Sequence, residues 1–142
     1  IKYYFAYKYN IFYPIFWGEY IGMFIGVILF HFQHVYENGY VRKDEEWNIK
    51  DAALMGSSFL YIPTFFKFFT LGIEYHHIHH LRTHIPGYML KYVHESAPKY
   101  MWKDIVYLKP NDMRKSLKMQ VYDESRQIYT TYNDILNYHK SK

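Results

Sequence analysis

The longest apolar stretch of the chain covers residues 11–33 and reads IFYPIFWGEYIGMFIGVILFHFQ, with Glu19 as its one formal charge. About 20 residues of α-helix are enough to cross the hydrocarbon core of a bilayer, so this stretch predicts a transmembrane helix. Gly18, Gly22 and Gly26 recur at every fourth residue and would give that helix a smooth face for a second helix. The alternative is a buried helix of a soluble protein, and Glu19 is the objection to a membrane span.

The pattern of apolar positions changes after this stretch. Residues 59–73 are apolar again, but Pro63 interrupts them and Lys67 lies in their middle. They are too short to span a bilayer, which favours an interfacial or re-entrant helix.

We therefore predict an all-α fold, a helical integral membrane protein with one transmembrane helix, interfacial helices and a cytosolic C-terminal helical region. The predicted parts of this single domain are a membrane helix (about 11–36), a polar linker (37–58), an interfacial helix with a histidine cluster (59–90) and a cytosolic tail (91–142).

Composition and charge narrow the class of protein. Aromatic residues make up 23% of the chain, and Tyr and Trp concentrate at membrane interfaces. The net charge of +4 arises entirely after residue 37, because two lysines and two glutamates cancel within residues 1–37. A neutral apolar beginning and a basic remainder fit a membrane anchor with a cytosolic domain. The basic residues are scattered, which disfavours a nucleic-acid surface, and no signal peptide is predicted. The absence of cysteine leaves histidine, carboxylate and carbonyl groups as metal ligands.

A cluster of histidines is the feature that most clearly indicates chemistry. The segment EYHHIHHLRTHIPGY contains His76, His77, His79 and His80. On a helix, the first, third and fourth of these fall within an arc of about 100° on one face, whereas His77 lies outside it. Three converging neutral imidazoles form a surface for a first-row metal, and they would be costly to bury unpaired. The alternative is a histidine-rich surface or tag, which fits a mid-chain cluster poorly.

A second pair of histidines lies in HFQHVYE, at the end of the predicted span. A lone histidine there is more often an interfacial residue than a ligand, but the downstream cluster makes His34 a candidate ligand and His31 a weaker one. The H-E-x-x-H motif of zinc hydrolases is absent from the chain. Spare histidines indicate more than one metal, and iron is the natural choice because imidazole suits it and oxygen chemistry needs open coordination positions.

These segments resemble a known family of membrane enzymes. GIEYHHIHHLRTHIPGY resembles the third histidine box of membrane fatty acid desaturases, especially the acyl-lipid desaturases of the oleate or delta-12 type. HFQHVYE is similar to the family's segment at the end of the last membrane helix, and DEEWNIKDAALMGSS is similar to the linker between the two. The chain thus resembles the C-terminal portion of such a desaturase.

The resemblance implies an oxygen-dependent di-iron oxidoreductase that introduces a double bond into a lipid acyl chain. The implied partners are the acyl lipid, molecular oxygen, the membrane and an electron donor such as ferredoxin or cytochrome b5, with no nucleic acid. The histidines would lie on the cytosolic face of the membrane, and no catalytic residue beyond the metal ligands and no further cofactor-binding residue is implied. The implied metal ligands are His34, His76, His79 and His80, with His31 and His77 as weaker candidates.

The family's first two histidine boxes, H-x-x-x-H and H-x-x-H-H, do not occur before His31, and the chain begins with Ile1. We therefore expect a C-terminal piece that, purified alone, holds no stoichiometric iron and has no activity. Two other interpretations stay open. One is a di-iron lipid hydroxylase, because desaturation and hydroxylation start from the same hydrogen abstraction. The other is a non-catalytic remnant or membrane-associated module, which an in-frame second box upstream would argue against.

Overall fold

The chain is predominantly helical in a computed structural model, which describes residues 1–141. The helices are α1 (Lys2–Lys8), α2 (Phe12–His34), α3 (Ile49–Met55), α4 (Thr64–Thr70), α5 (His76–Leu81), α6 (Gly87–Ser96), α7 (Pro110–Ser116) and α8 (Tyr132–Lys140), with 3-10 turns at Asp44–Glu46 and Lys99–Trp102. The strands are β1 (Ser58–Leu60), β2 (Val106–Leu108), β3 (Val121–Asp123) and β4 (Ile128–Thr130). The predicted helical fold class is confirmed, and the four three-residue strands are an addition that the sequence pattern did not predict. The backbone separates into two units, Ile1–Phe30 and the residues from His31 onward.

In the first unit, α2 carries the apolar stretch. Among residues 1–141 it is the one helix that is long and apolar enough to cross a membrane, as predicted, and none of its apolar window is buried inside the protein. A methyl group added at Gly18, Gly22 or Gly26 would meet no protein atom within 4 Å. Most side chains of α2 before its last two turns therefore lie uncovered, which fits a surface that contacts lipid or further helices.

The charge inside α2 has partners from α1. The Tyr3 hydroxyl donates a hydrogen bond of 2.7 Å to Oε2 of Glu19, and the Lys2 amine forms an ion pair with the same carboxylate. Charged groups in a membrane segment are normally paired with one another or with polar groups. Because Glu19 is paired in this way, its charge does not argue against α2 as a membrane-spanning helix.

The core of the second unit surrounds α5. Leu54 of α3, Ile78 of α5 and Leu90 of α6 are each at most 2% exposed, and Trp102 and Ile105 close the cluster. Fully burying an aliphatic side chain contributes about 1.5–3 kcal/mol relative to leaving it exposed. Histidine is a poor helix former, so the packing of α5 against its neighbours, rather than helix propensity, accounts for a six-residue helix in HHIHHL.

A small parallel sheet fixes where α5 begins. β1 pairs in parallel with β2, and the amide of Leu60 donates a hydrogen bond of 3.2 Å to the carbonyl of Glu74. Phe59 also forms a bridge with Tyr75, the residue directly before α5. The apolar residues 59–73 are thus divided between the end of β1 and α4, and the chain returns to the sheet before the histidines.

Residues 91–141, which make up all but the last position of the predicted cytosolic tail, form helices and strands of the second unit. α7 begins at Pro110, a residue suited to the first helical position, and the side chain of Asp112 accepts the Lys109 amide at 3.1 Å. β3 and β4 form an antiparallel hairpin, and the Thr131 side chain caps α8 by accepting the Asp134 amide at 3.1 Å.

Candidate metal centre

Three imidazole nitrogens converge where the end of α2 meets α5. The Nε2 atoms of His34 and His80 are 3.1 Å apart, those of His76 and His34 are 3.3 Å apart, and those of His80 and His76 are 3.0 Å apart. His34 is the last residue of α2, and the other two stand four residues apart on α5, which places their side chains on one helix face. We call these three residues the histidine triangle.

The dimensions of the histidine triangle suit a metal ion. A metal–imidazole bond is about 2.1 Å long, so three nitrogens separated by 3.0–3.3 Å could all lie within bonding distance of one ion. A neutral imidazole has one N–H, so three mutually facing Nε2 atoms cannot all be satisfied by one another. A cation accepts three lone pairs at once, and the donor set therefore fits a first-row metal.

The electrostatics of the site favour the neutral imidazoles that metals require. Burial first, and then the neighbouring histidines with His80 the largest of them, lower the pKa of His76 to about 3. Burial also lowers the pKa of His80, with His34 and His79 acting in the same direction. Both imidazoles are therefore unprotonated near neutral pH, and no proton has to be removed before a metal binds.

The structure does not bring all the predicted ligands into the triangle. The ring of His79 is half-buried and stacks against that of His76, with centroids 5.5 Å apart, but it lies outside the group of converging nitrogens found in residues 1–141. His31, the weaker candidate on α2, donates its Nε2 proton to the carbonyl of Ser116 at 3.0 Å. That contact anchors the end of α2 to α7 and turns the imidazole to a different partner.

His77, the other weaker candidate, has a partner that the sequence analysis did not find. Its side chain is fully buried, and its Nε2 lies 3.1 Å from Nδ1 of His94 on α6. Burial lowers the pKa of His77 to about 3 and also lowers the pKa of His94. The segment KYVHESAP around His94 has no motif that indicates this contact. The packing of α6 against α5 creates it.

A cluster of three histidines at the end of a membrane-length helix defines a candidate metal-dependent membrane protein. Over 111 residues, which make up 78% of the chain, it is 35% identical to a fatty acid desaturase of Bacillus subtilis (strain 168). The match spans 31% of that protein's length. No family model matches the chain, and no solved structure matches it. The predicted resemblance to the fatty acid desaturase family is confirmed for the matched part of the chain, and the homologue together with α2 indicates association with a membrane.

Proposed function

We propose that this chain forms part of a membrane fatty acid desaturase, in which the histidine triangle holds one iron of a di-iron centre. The observation that carries the proposal is the convergence of three Nε2 atoms within 3.3 Å of one another. His79, stacked on His76, is the ligand we assign to the second iron. Iron bound by these histidines would supply the one-electron oxygen chemistry that breaks an unactivated C–H bond, which acid–base side chains cannot do.

The residues of the site hold the metal and shape its surroundings. The neutral imidazoles of the triangle would leave a bound iron cationic, and three protein ligands would not fill its coordination sphere. The inner side of the triangle is buried, because His76 is 6% exposed. His80 is exposed, so the site is open to its surroundings on the side where His80 lies. An acyl chain and oxygen would approach from that side, while the core of the second unit excludes water from the other.

The remaining features of the proposal follow from the family resemblance. The substrate would be an acyl lipid, and electrons would come from a carrier such as ferredoxin or cytochrome b5. The site would lie on the cytosolic face of the membrane that α2 crosses. The parts of the chain would belong to a single desaturase domain, with the membrane helix and the histidine box working together. The apolar and uncovered α2 supports the membrane part of this proposal.

A metal titration tests the site itself. Three nitrogens hold a metal weakly without further ligands, so Co²⁺ added to the purified chain in detergent is a better probe than co-purified iron. We expect one Co²⁺ per chain with a ligand-field spectrum, and a loss of at least tenfold in affinity in His34→Ala, His76→Ala and His80→Ala. His84 is exposed and lies outside the triangle, so His84→Ala is the matched control and should bind Co²⁺ as the parent does. Equal binding by all four variants would refute the metal site.

A chimera tests the reaction. The 111 matched residues of the Bacillus subtilis desaturase are replaced by those of this chain, and the lipids of an expressing host are analysed by gas chromatography and mass spectrometry. New double bonds that disappear with His76→Ala would support desaturation. Hydroxylated acyl chains would identify a hydroxylase instead, and an unmodified lipid profile from a stably inserted chimera would favour a non-catalytic module.

A further inference from the structure

The last turn of α6 contains a carbonyl group that its own helix cannot satisfy. In an α-helix the carbonyl of residue i accepts the amide of residue i+4. Four residues after His94 stands Pro98, which has no amide proton. The indole Nε1–H of Trp102 instead donates to the His94 carbonyl at 2.9 Å. The proline therefore creates a vacancy in the hydrogen bonding of α6, and Trp102 fills it.

The same indole also holds the side chain of His94. The two rings are stacked, with centroids 5.3 Å apart and planes inclined by 11°. Trp102 is 7% exposed and packs edge-on against His77, with ring centroids 5.2 Å apart. One tryptophan thus fixes both the main chain and the ring of His94, so that Nδ1 of His94 faces Nε2 of His77.

The direction of the hydrogen bond between the two histidines follows from burial. Nδ1 of His77 is buried and has no hydrogen-bond partner within the described residues. If that atom carried the proton of a neutral imidazole, a buried donor would be left unpaired at a cost of about 1–3 kcal/mol. The proton therefore stands on Nε2 of His77, which donates to Nδ1 of His94 at 3.1 Å.

We propose that His94 is a positioning residue, which fixes the rotation of α5 and thereby the metal ligands His76 and His80. This inference rests on the proposed function of the histidine triangle. His77 lies about 80° around α5 from the middle of the ligand face, so a hydrogen bond there resists rotation about the helix axis. At a side-chain radius of about 5–6 Å, a rotation of 20° moves a ligand atom by about 2 Å. Because the sides of the triangle are only 3.0–3.3 Å, such a rotation would open it.

Two substitutions at one position separate this role from simple packing. His94→Leu places an apolar side chain of similar size beside Trp102 and removes the nitrogen that accepts the hydrogen bond from His77. His94→Asn supplies an amide oxygen at about the place of Nδ1 and retains the acceptor. The same substitutions at the exposed His84 are the matched controls. Each variant is measured for its Co²⁺ dissociation constant, its Co²⁺ ligand-field spectrum and, without metal, the hydrogen exchange of the α5 amides.

We expect His94→Leu to raise the Co²⁺ dissociation constant about tenfold or more and to shift the spectrum. It should also speed exchange in α5, while His94→Asn restores all three properties toward those of the parent. Trp102→Phe keeps a stacking ring but loses the N–H donor, so it should weaken Co²⁺ binding in the same direction. If His94→Leu does not fold, Trp102→Phe tests whether His94 positions the metal ligands.

Two results would overturn the inference. One is a folded His94→Leu or Trp102→Phe chain with the parent's affinity, spectrum and α5 exchange. The other is a His94→Asn chain that folds but behaves like His94→Leu. A parent chain that binds no Co²⁺ would instead count against the proposed function, and the exchange of α5 in the metal-free variants would still show whether His94 holds this helix.

Discussion

Gly72 precedes the histidine cluster, and replacing it with alanine should destabilise the second unit. Its φ of +88° lies in a region that residues with a side chain rarely adopt, and it follows Leu71, whose φ is 51°. The carbonyl of Gly72 accepts the amide of Tyr75 at 3.0 Å, in the turn that leads into α5. A change at Gly72 is therefore transmitted to the start of the helix that carries the ligands.

The size of the effect follows from two contributions. A side chain held at this φ costs about 1–3 kcal/mol. The added Cβ would also lie 2.3 Å from the carbonyl oxygen of Gly87, where ordinary contacts begin at 3.4 Å. Both groups are backbone, so the overlap can be relieved only by moving α6 or the turn, at about 1–3 kcal/mol. We expect Gly72→Ala to lower the free energy of unfolding by about 2–6 kcal/mol.

Thermal unfolding in detergent, followed by circular dichroism, measures this effect. For a chain of this size the loss corresponds to a decrease in Tm of about 6–18 °C, and Co²⁺ binding should weaken with it. Gly22→Ala is the matched control, because a methyl group there meets open space and alanine is the better helix former. If the Tm of Gly72→Ala stayed within a degree of the control, the close approach of the two backbones at Gly72 and Gly87 would be refuted.

Two further predictions concern pH and the C-terminal hairpin. Burial lowers the pKa of His77 to about 3 in the folded protein, whereas an unfolded chain has a histidine pKa of about 6.5. Between these two pH values His77 is protonated in the unfolded chain and neutral in the folded one. Metal-free protein should therefore lose about 2 kcal/mol of stability through this residue between pH 7.5 and pH 5.0, and the fall in Tm should shrink in His77→Phe. Asp123 is 2% exposed, and hydrogen bonds from Ser125 and then Arg126 lower its pKa. Its contribution is present above about pH 4 and lost as the carboxylate is protonated. Asp123→Asn should therefore lower the Tm at pH 7, whereas Glu124→Gln, at an exposed position, should leave it unchanged.

Most of the fold class could be predicted from the sequence, but the short strands could not. The length and apolarity of α2 are properties of consecutive residues, so periodicity and composition are enough to find it. β1 and β2 are three residues each and are separated by more than 40 residues along the chain. A three-residue strand is too short for an alternating pattern to be distinguished, and its pairing depends on a distant partner. The division of residues 59–73 between β1 and α4 follows from the same long-range pairing.

The sequence by itself determined which chemistry the protein could have. The absence of cysteine, the spacing of His76, His79 and His80, and the resemblance of the surrounding segments are all local along the chain. Only the tertiary structure decided which histidines meet. It joined His34 to two residues more than 40 positions away and left the third, His79, outside the triangle. It also gave the buried His77 its partner on α6. The physical reason is that helix periodicity fixes directions around one axis, whereas converging nitrogens require the packing of separate helices at distances of about 3 Å.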